Sequence, residues 1–355
     1  MVQINIMTEQ SEQLKHKITP LETARVKPRS FRKMVLIFVA SFIAVFILIV
    51  GVFVFKAGTT FSLVSQRVDS FLGITTQKLP VANPQEKNRL DVLILGIRGE
   101  GDPYGGRLTD TMIVASINTD TYQTALISVP RDTYVTLPVV DIPTKLNEAY
   151  EIGEQKQPNG GGIVLAKLAI GKVIGVNIDH AIVVDFTAFK ELIDLLGGID
   201  VRVAKPLREN LQWGGQDFIV EPGIHHMDGD TALLYARSRF TTSDFDRARR
   251  QQEIIFAVRE KAVSLGFLSN PKKLIGVLDI VGRNVKTDIM SKDISRLFSI
   301  GQKIKPQETT TLVIDTASGL FVSSHNDIGA YILIPTKGFA DFSDIHSRVQ
   351  NIFEE

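Results

Sequence analysis

The chain of 355 residues contains no cysteine, so no disulfide and no thiol chemistry can operate in it. Its six histidines form no H-x-x-x-H or Cys/His ligand pattern. His225 and His226, between Gly223 and Gly229, read as part of a turn and not as a zinc site. No G-x-S-x-G nucleophile elbow occurs. The glycine-rich stretch Gly96 to Gly106 matches neither the dinucleotide fingerprint nor a Walker loop, which excludes the common nucleotide cradles, although its amides and Arg98 can line a phosphate site. The single tryptophan, Trp213, sits in a glycine-flanked loop and reads as local packing. There is no internal repeat, heptad array or low-complexity tract. A formal net charge of +1 excludes a strongly basic protein, so any anion binding must come from local clustering, which argues against a nucleic-acid partner.

One long apolar run is present. Met34 to Phe55 carries no charge, and only Ser41 and Gly51 interrupt its apolar character. At 1.5 Å per residue it spans about 33 Å, against a bilayer core of about 30 Å, so an N-terminal transmembrane helix is predicted. A cleaved signal peptide would have a shorter apolar stretch and a small-residue cleavage site. The preceding tail holds Lys15, Lys17, Arg25, Lys27, Arg29, Arg32 and Lys33 against Glu9, Glu12 and Glu22. The positive-inside rule keeps that tail cytoplasmic and exports the rest. The expected organisation is a basic cytoplasmic tail (1–33), a membrane span (34–55), a stalk (56–89), a main domain (90–265), and C-terminal helices and strands packed on it (266–355). The 33 residues of the cytoplasmic tail show no helix-turn-helix pattern, which disfavours a tethered transcription regulator.

Charge is also distributed unevenly. Residues 236–252 hold Arg237, Arg239, Arg247, Arg249 and Arg250 with Asp244 and Asp246, and no lysine. Arginine offers a planar, permanently charged fork for phosphate where lysine offers a point charge, so the cluster points to a phosphate group of defined geometry. On a helix, Asp244, Arg247 and Gln251 share a face at i, i+3 and i+7, with Arg250 beside them, while Ile254, Ile255, Val258, Ala262 and Leu265 pack inward. Arg237 and Arg239 are expected on the preceding turn or extended segment. The alternative is a surface salt-bridge network of Asp244 and Asp246 with neighbouring arginines.

Elsewhere apolar runs predict strands at Leu90–Gly96, Met112–Asn118, Thr124–Val129, Ala181–Phe186, Ile199–Val203, Thr310–Asp315 and Ala330–Ile334. Helices are predicted at Thr60–Leu72, Thr144–Ile152, Gly162–Ile174, Phe189–Leu196, Pro271–Ile280, Ser291–Ile300 and Phe342–Ile352. The alternation implies an α/β fold, a central mixed sheet flanked by helices, with ligands near the carboxyl ends of strands. Two charged segments join strand ends there: Arg107-Leu108-Thr109-Asp110-Thr111 and Pro130-Arg131-Asp132-Thr133. Asp110 can hold a Mg²⁺ ion, which favours one or two carboxylates plus phosphate oxygens. Arg131 adds a phosphate fork. Asp132 is either catalytic or the anchor of an Asx turn.

Taken in order, several segments resemble the LytR-CpsA-Psr family. They are Leu93-Ile94-Leu95-Gly96, Thr109-Asp110-Thr111, Ser128 to Thr133, Lys145 to Tyr150, Asp179-His180 with Val184-Asp185-Phe186, Leu196 to Ile199, Met227-Asp228-Gly229, Tyr235 to Arg239 and Asp244 to Gln252. The resemblance implies a membrane-anchored phosphotransferase with its catalytic domain outside the cell. Such an enzyme moves a glycopolymer from a polyprenyl-pyrophosphate-linked donor onto a peptidoglycan acceptor, with the lipid tail in an apolar tunnel. It implies Arg131, Arg237, Arg239 and Arg247 as pyrophosphate-binding arginines with Gln251 nearby, and Asp110 as the aspartate associated with Mg²⁺, Mn²⁺ being the alternative metal. The family aspartate two residues after Gly96 and the arginine two before Asp110 are here Arg98 and Leu108. Asp102 and Arg107 lie near enough to take the metal and phosphate roles. Asp244 and Asp132 are the candidates to accept the hydroxyl proton. Other readings are a non-catalytic wall scaffold that binds anionic polymers and a polyprenyl-pyrophosphate hydrolase.

Overall fold

The computed structural model describes residues 70–71, 74–75, 88–100, 102, 106–212, 214, 216–265, 285–290, 293, 296–297, 299–300, 303–304 and 309–354. The expected membrane span, most of the stalk, Trp213 and the helix at Pro271–Ile280 lie outside them, and the helix at Ser291–Ile300 lies partly outside. Among the described residues no helix is long and apolar enough to cross a membrane.

A small hairpin, β1 (Ser70–Phe71) and β2 (Ile74–Thr75), comes first, so the end of the helix expected at Thr60–Leu72 is extended chain. There follow β3 (Arg89–Ile97), β4 (Thr109–Asn118), β5 (Thr124–Ser128), and the hairpin β6 (Tyr134–Leu137) and β7 (Ile142–Lys145). Next are α1 (Ala149–Lys156), α2 (Gly161–Ile174), β8 (His180–Val184), α3 (Phe186–Leu195) and β9 (Ile199–Val203). Then β10 (Leu207–Glu209), β11 (Phe218–Val220), β12 (Gly223–Met227), α4 (Gly229–Arg237) and α5 (Asp244–Ser264) lead to β13 (Val285–Thr287), β14 (Thr309–Val313), β15 (Phe321–His325), β16 (Tyr331–Pro335) and α6 (Ser343–Gln350).

Among the described residues six strands form the central sheet, in the order β13-β8-β3-β4-β5-β14. β4 is antiparallel to both β3 and β5, while β8 is parallel to β3 and β14 parallel to β5. Four strands therefore end at the same edge, and the amino end of β4 lies among them.

Strand period decides which helix covers which face. Val114 and Ile127 join Leu93, Leu95 and Val183 in the core under α2, whereas Ile113, Ala115 and Leu126 meet Ile255 and Phe256 of α5. With both faces covered, these strands read as continuous apolar runs. Helix α2 is apolar almost all round because α6 packs on its far side through Ile345 and Val349. A second core joins α3, α4 and α5 to β9 and β12, through Ile193, Tyr235 and Ile254 among others.

Several expectations are corrected. Thr144 and Lys145 belong to β7, a single 3₁₀ turn (Leu146–Glu148) follows, and α1 begins only at Ala149. His225 and His226 lie in β12, paired with β9. Arg237 is the last residue of a helix, α4, whose start is capped by Asp228 accepting a hydrogen bond from Thr231 N–H.

Candidate functional site

Helix α5 starts with a reciprocal cap. Ser243 Oγ accepts from Asp246 N–H at 3.0 Å and donates to the Asp246 carboxylate at 2.7 Å. Gln252, two turns on, donates to Ser128 Oγ at 2.8 Å and to the Leu126 and Leu312 carbonyls at 3.3 and 3.4 Å, clamping the helix across β5 and β14. The first turns of α5 are thereby held over the strand edge where β3 and β5 end and β4 begins.

The charged groups converge there. Arg131, just after β5, places Nη1 2.6 Å from Asp110 Oδ1 and Nε 3.0 Å from Asp244 Oδ2. Asp244 Oδ1 also receives Arg247 Nη1 at 3.0 Å and Arg239 Nη1 at 3.4 Å. Arg247 Nη2 reaches the Asp110 backbone carbonyl at 3.3 Å. The Arg247 Nε is buried and makes no hydrogen bond, a donor left over within the cluster. Asp132 is held by Lys145 Nζ at 2.8 Å, with Arg131 Nε at 3.6 Å. Arg237 lies over the Phe186 ring, 4.4 Å from its centre.

Burial and charge pull against each other here. Burial raises the pKa of Asp110, but Arg131, Arg247 and Arg98 outweigh it and hold the carboxyl below its ordinary value. Asp244 is likewise raised by burial and brought lower still by Arg247, Arg131 and Arg239. Burial, followed by the neighbouring Arg131 and Arg239, brings Arg247 down to about 10 in spite of Asp244 and Asp110. It remains a cation at neutral pH, strained by desolvation and ready for an anion. Arg237 is lowered by burial and then by Arg98.

Two cavities meet at this cluster. The wider, about 690 Å³, is bounded by Asp132, Lys145, Phe240, Phe245 and Tyr331. The narrower, about 170 Å³, runs inward between apolar side chains including Ile94, Ile113, Phe189, Leu192, Ile255 and Val258. Asp110, Arg131, Arg239, Arg247 and Gln251 line both, and Asp244 lines the wider only. The arrangement can hold a phosphate-type anion at the junction, an apolar tail on one side and a polar group on the other.

The expected residues Asp110, Arg131, Asp132, Arg237, Arg239, Asp244, Arg247 and Gln251 are thus brought together. Arg107 is not: it is half-buried and pairs with Glu100 at 3.2 Å, outside both cavities. Arg250 turns away from the site and is spent on the Tyr235 and Ser238 carbonyls and Thr242 Oγ1, tying α5 to the end of α4. Asp246 pairs with Arg249 at 3.0 Å, and Arg249 with Asp315 at 2.9 Å, a surface network of the alternative kind.

The residues expected to hold Mg²⁺ were Asp110 and Asp102. Arg98 bridges them, with Nε 3.5 Å from Asp110 Oδ2 and Nη1 3.7 Å from Asp102 Oδ1, while the other Asp110 oxygen is taken by Arg131. Among the described residues no group of three or more His, Asp or Glu could hold a metal ion. This donor set does not suit a divalent cation, because a guanidinium stands where the two carboxylates meet.

Sequence reasoning passed over Lys145, Gln252 and Glu209. Glu209 is fully buried and accepts from the backbone N–H groups of Leu211, Gln212, Arg239, Phe240 and Thr241, shaping the loop that carries Arg239. A lone acid in the stretch Leu207 to Leu211 gives no signal of that role. Lys145 stands in a recognisable segment, but its partner Asp132 is 13 residues away and only the β6–β7 hairpin brings them together.

A model of the LytR_cpsA_psr family matches residues 62–338. The polyisoprenyl-teichoic acid–peptidoglycan teichoic acid transferase TagU of Enterococcus faecalis is 32% identical over 241 residues, covering 66% of this chain and 73% of that protein. The transferase of the same name from Oceanobacillus iheyensis is 34% identical over 207 residues, covering 58% and 60%. Among solved structures, B. subtilis TagV superimposes with a TM-score of 0.56 at 25% identity, covering 76% of this chain and 98% of that one.

Proposed function

This chain belongs to the LytR_cpsA_psr family, and on that premise we propose that it is a glycopolymer transferase. It moves a polymer of teichoic-acid or similar type from a polyprenyl-pyrophosphate carrier to peptidoglycan, anchored by the apolar run Met34–Phe55 with its folded part outside the membrane. The observation that carries the reading is the shared wall of arginines between a narrow apolar cavity and a wider one of mixed, more polar lining. The lipid tail enters the first, the pyrophosphate lies on Arg131, Arg239 and Arg247 with Arg237 beside it, and the acceptor glycan approaches through the second.

In the reaction an acceptor hydroxyl attacks the glycan-linked phosphorus. The bond from that phosphorus to the bridging oxygen breaks, and polyprenyl phosphate leaves as its electron pair moves to that oxygen. The protein supplies position and positive charge, which is most of what phosphoryl transfer requires. Arg131 and Arg247 exchange their grip on Asp110 and Asp244 for the phosphate oxygens. The proton passes to a carboxylate on the acceptor side. Asp132, held mainly by Lys145, lies outside the three-arginine clamp on Asp244 and is the better placed of the two.

Arg247→Ala and Arg131→Ala should each lower the transfer rate by about 10² to 10³. The check is a time course of glycan transfer by the full chain in detergent, from a polyprenyl-pyrophosphate-linked oligosaccharide to peptidoglycan fragments. Full activity in both variants would end this assignment.

A further inference from the structure

Arg98 is unusual among the site arginines because the carboxylates that hold it are the two that would otherwise have faced a metal ion. Its backbone is fixed from two sides. The Arg98 carbonyl accepts from Phe186 N–H at 3.4 Å, at the start of α3, and the loop that follows closes on itself through Gly99 N–H to the Gly106 carbonyl at 3.0 Å. Gly106 is required there, since a Cβ at that position would stand 2.1 Å from the Gly99 carbonyl oxygen. Asp102 N–H donates to the Gly99 carbonyl at 3.3 Å, so the same closed loop carries Asp102 back to Arg98. Arg98 also lines the apolar cavity at the end where Arg131, Arg237 and Arg247 stand. Its charge is felt by Arg237, whose guanidinium is destabilised by burial and then by Arg98. Two cations held near each other at the mouth of an apolar cavity are relieved by one anion between them.

We infer that the Arg98 guanidinium, gripped by Asp102 and Asp110, is this chain's resident cation at the pyrophosphate. It performs with a fixed side chain the charge neutralisation that a divalent ion would supply, so that binding and transfer proceed without added metal. The inference rests on the reading of the cavity junction as a pyrophosphate site. A guanidinium can do this because it is always charged and meets phosphate through a planar fork, and its ion pairs with two carboxylates at 3.5 and 3.7 Å lower the entropy cost of positioning it.

The test uses the full chain in detergent and farnesyl pyrophosphate as probe, titrated calorimetrically in excess EDTA and in excess MgCl₂, for the unaltered chain, Arg98→Ala, Arg98→Asp and Arg247→Ala. Electron paramagnetic resonance of Mn²⁺ without lipid gives a second readout that does not depend on turnover. The unaltered chain should bind the probe with affinities agreeing within about twofold in the two media, and Arg98→Ala should bind about 10- to 100-fold more weakly in EDTA. Arg98→Asp should bind only with Mg²⁺ and should alone immobilise Mn²⁺. The inference is overturned if EDTA weakens the unaltered chain tenfold or more, if that chain immobilises Mn²⁺, or if Arg98→Ala binds like the parent while Arg247→Ala does not. Absence of probe binding to a folded, unaltered chain in both media would instead remove the pyrophosphate reading, and this inference with it.

Discussion

Asp244 holds three arginines at once, and its removal separates charge balance from chemistry. The carboxyl is raised by burial and lowered further by Arg247, Arg131 and Arg239, so its native pKa lies below the ordinary 3.8. A carboxylate with a lowered native pKa stabilises the fold fully above its unfolded value, and the contribution is lost as pH falls through the native one. Asp244→Asn should therefore cost about 1 to 3 kcal/mol at pH 7, where it strands the arginines, and the difference from the parent should narrow below pH 4. Thermal melts at pH 7 and pH 3 check this; an equal deficit at both would contradict it. The arginine face was legible in the sequence because the identity of the cation carries the chemistry. Arg250 was misplaced for a reason the helix itself supplies. At about 100° per residue it stands about 120° away from Asp244, whereas Arg247 and Gln251 stand within about 60°. That direction leads to the carbonyls at the end of α4. Arg107 and Asp102 could not be placed from sequence, because their positions depend on the backbone hydrogen bonds Gly99 N–H to Gly106 and Asp102 N–H to Gly99, which no pattern announces.

At the level of elements, the long central strands and α2 were readable because both faces of the sheet are covered, which leaves unbroken apolar runs. The short hairpins were not, since strands such as β10 and β11 carry only three residues each. Helix α4 was overlooked although Asp228, three residues before Thr231, was a usable start signal. Two element junctions control the site. At the end of β3, Gly96 faces Thr111 of β4, and a Cβ there would stand 2.8 Å from Thr111 Cβ and 2.9 Å from its Oγ1, next to Asp110. Gly96→Ala should cost about 1 to 3 kcal/mol and depress transfer, and Thr111→Gly in the same chain should recover much of the stability. No recovery in denaturant melts would place the strain elsewhere. The second junction is Glu209. Glu209→Ala should destabilise the fold by at least about 2 kcal/mol and lower transfer through loss of the Arg239 loop, with Glu209→Gln intermediate in both. Transfer rates at parental levels in folded Glu209→Ala would show that the loop needs no such anchor.

For the whole molecule, the C-terminal residues are part of the main core. β14 completes the central sheet beside β5, and Phe342, Ile345, Val349 and Ile352 are buried in the same cluster as Leu93 and Ile127. The β15–β16 hairpin brings Tyr331 and Leu333 to the wall of the wider cavity, and Leu333 N–H donates to the Asp132 carbonyl at 2.8 Å. A chain cut after Leu265 should accordingly show no cooperative melt by near-ultraviolet circular dichroism; a sharp transition would show that the last segment is dispensable. Sequence alone placed strands and helices in this segment but could not show that two of its strands, β13 and β14, join the central sheet, because those pairings are between residues far apart in the chain. What the whole molecule does with its two cavities is read by mass spectrometry of peptidoglycan fragments incubated with the full chain and a polyprenyl-pyrophosphate-linked oligosaccharide. A fragment carrying the glycan through a phosphodiester should form, with release of polyprenyl phosphate, and be absent with Arg247→Ala. Free glycan phosphate without attachment would make the protein a hydrolase, and binding of the donor with no change in its mass would make it a scaffold.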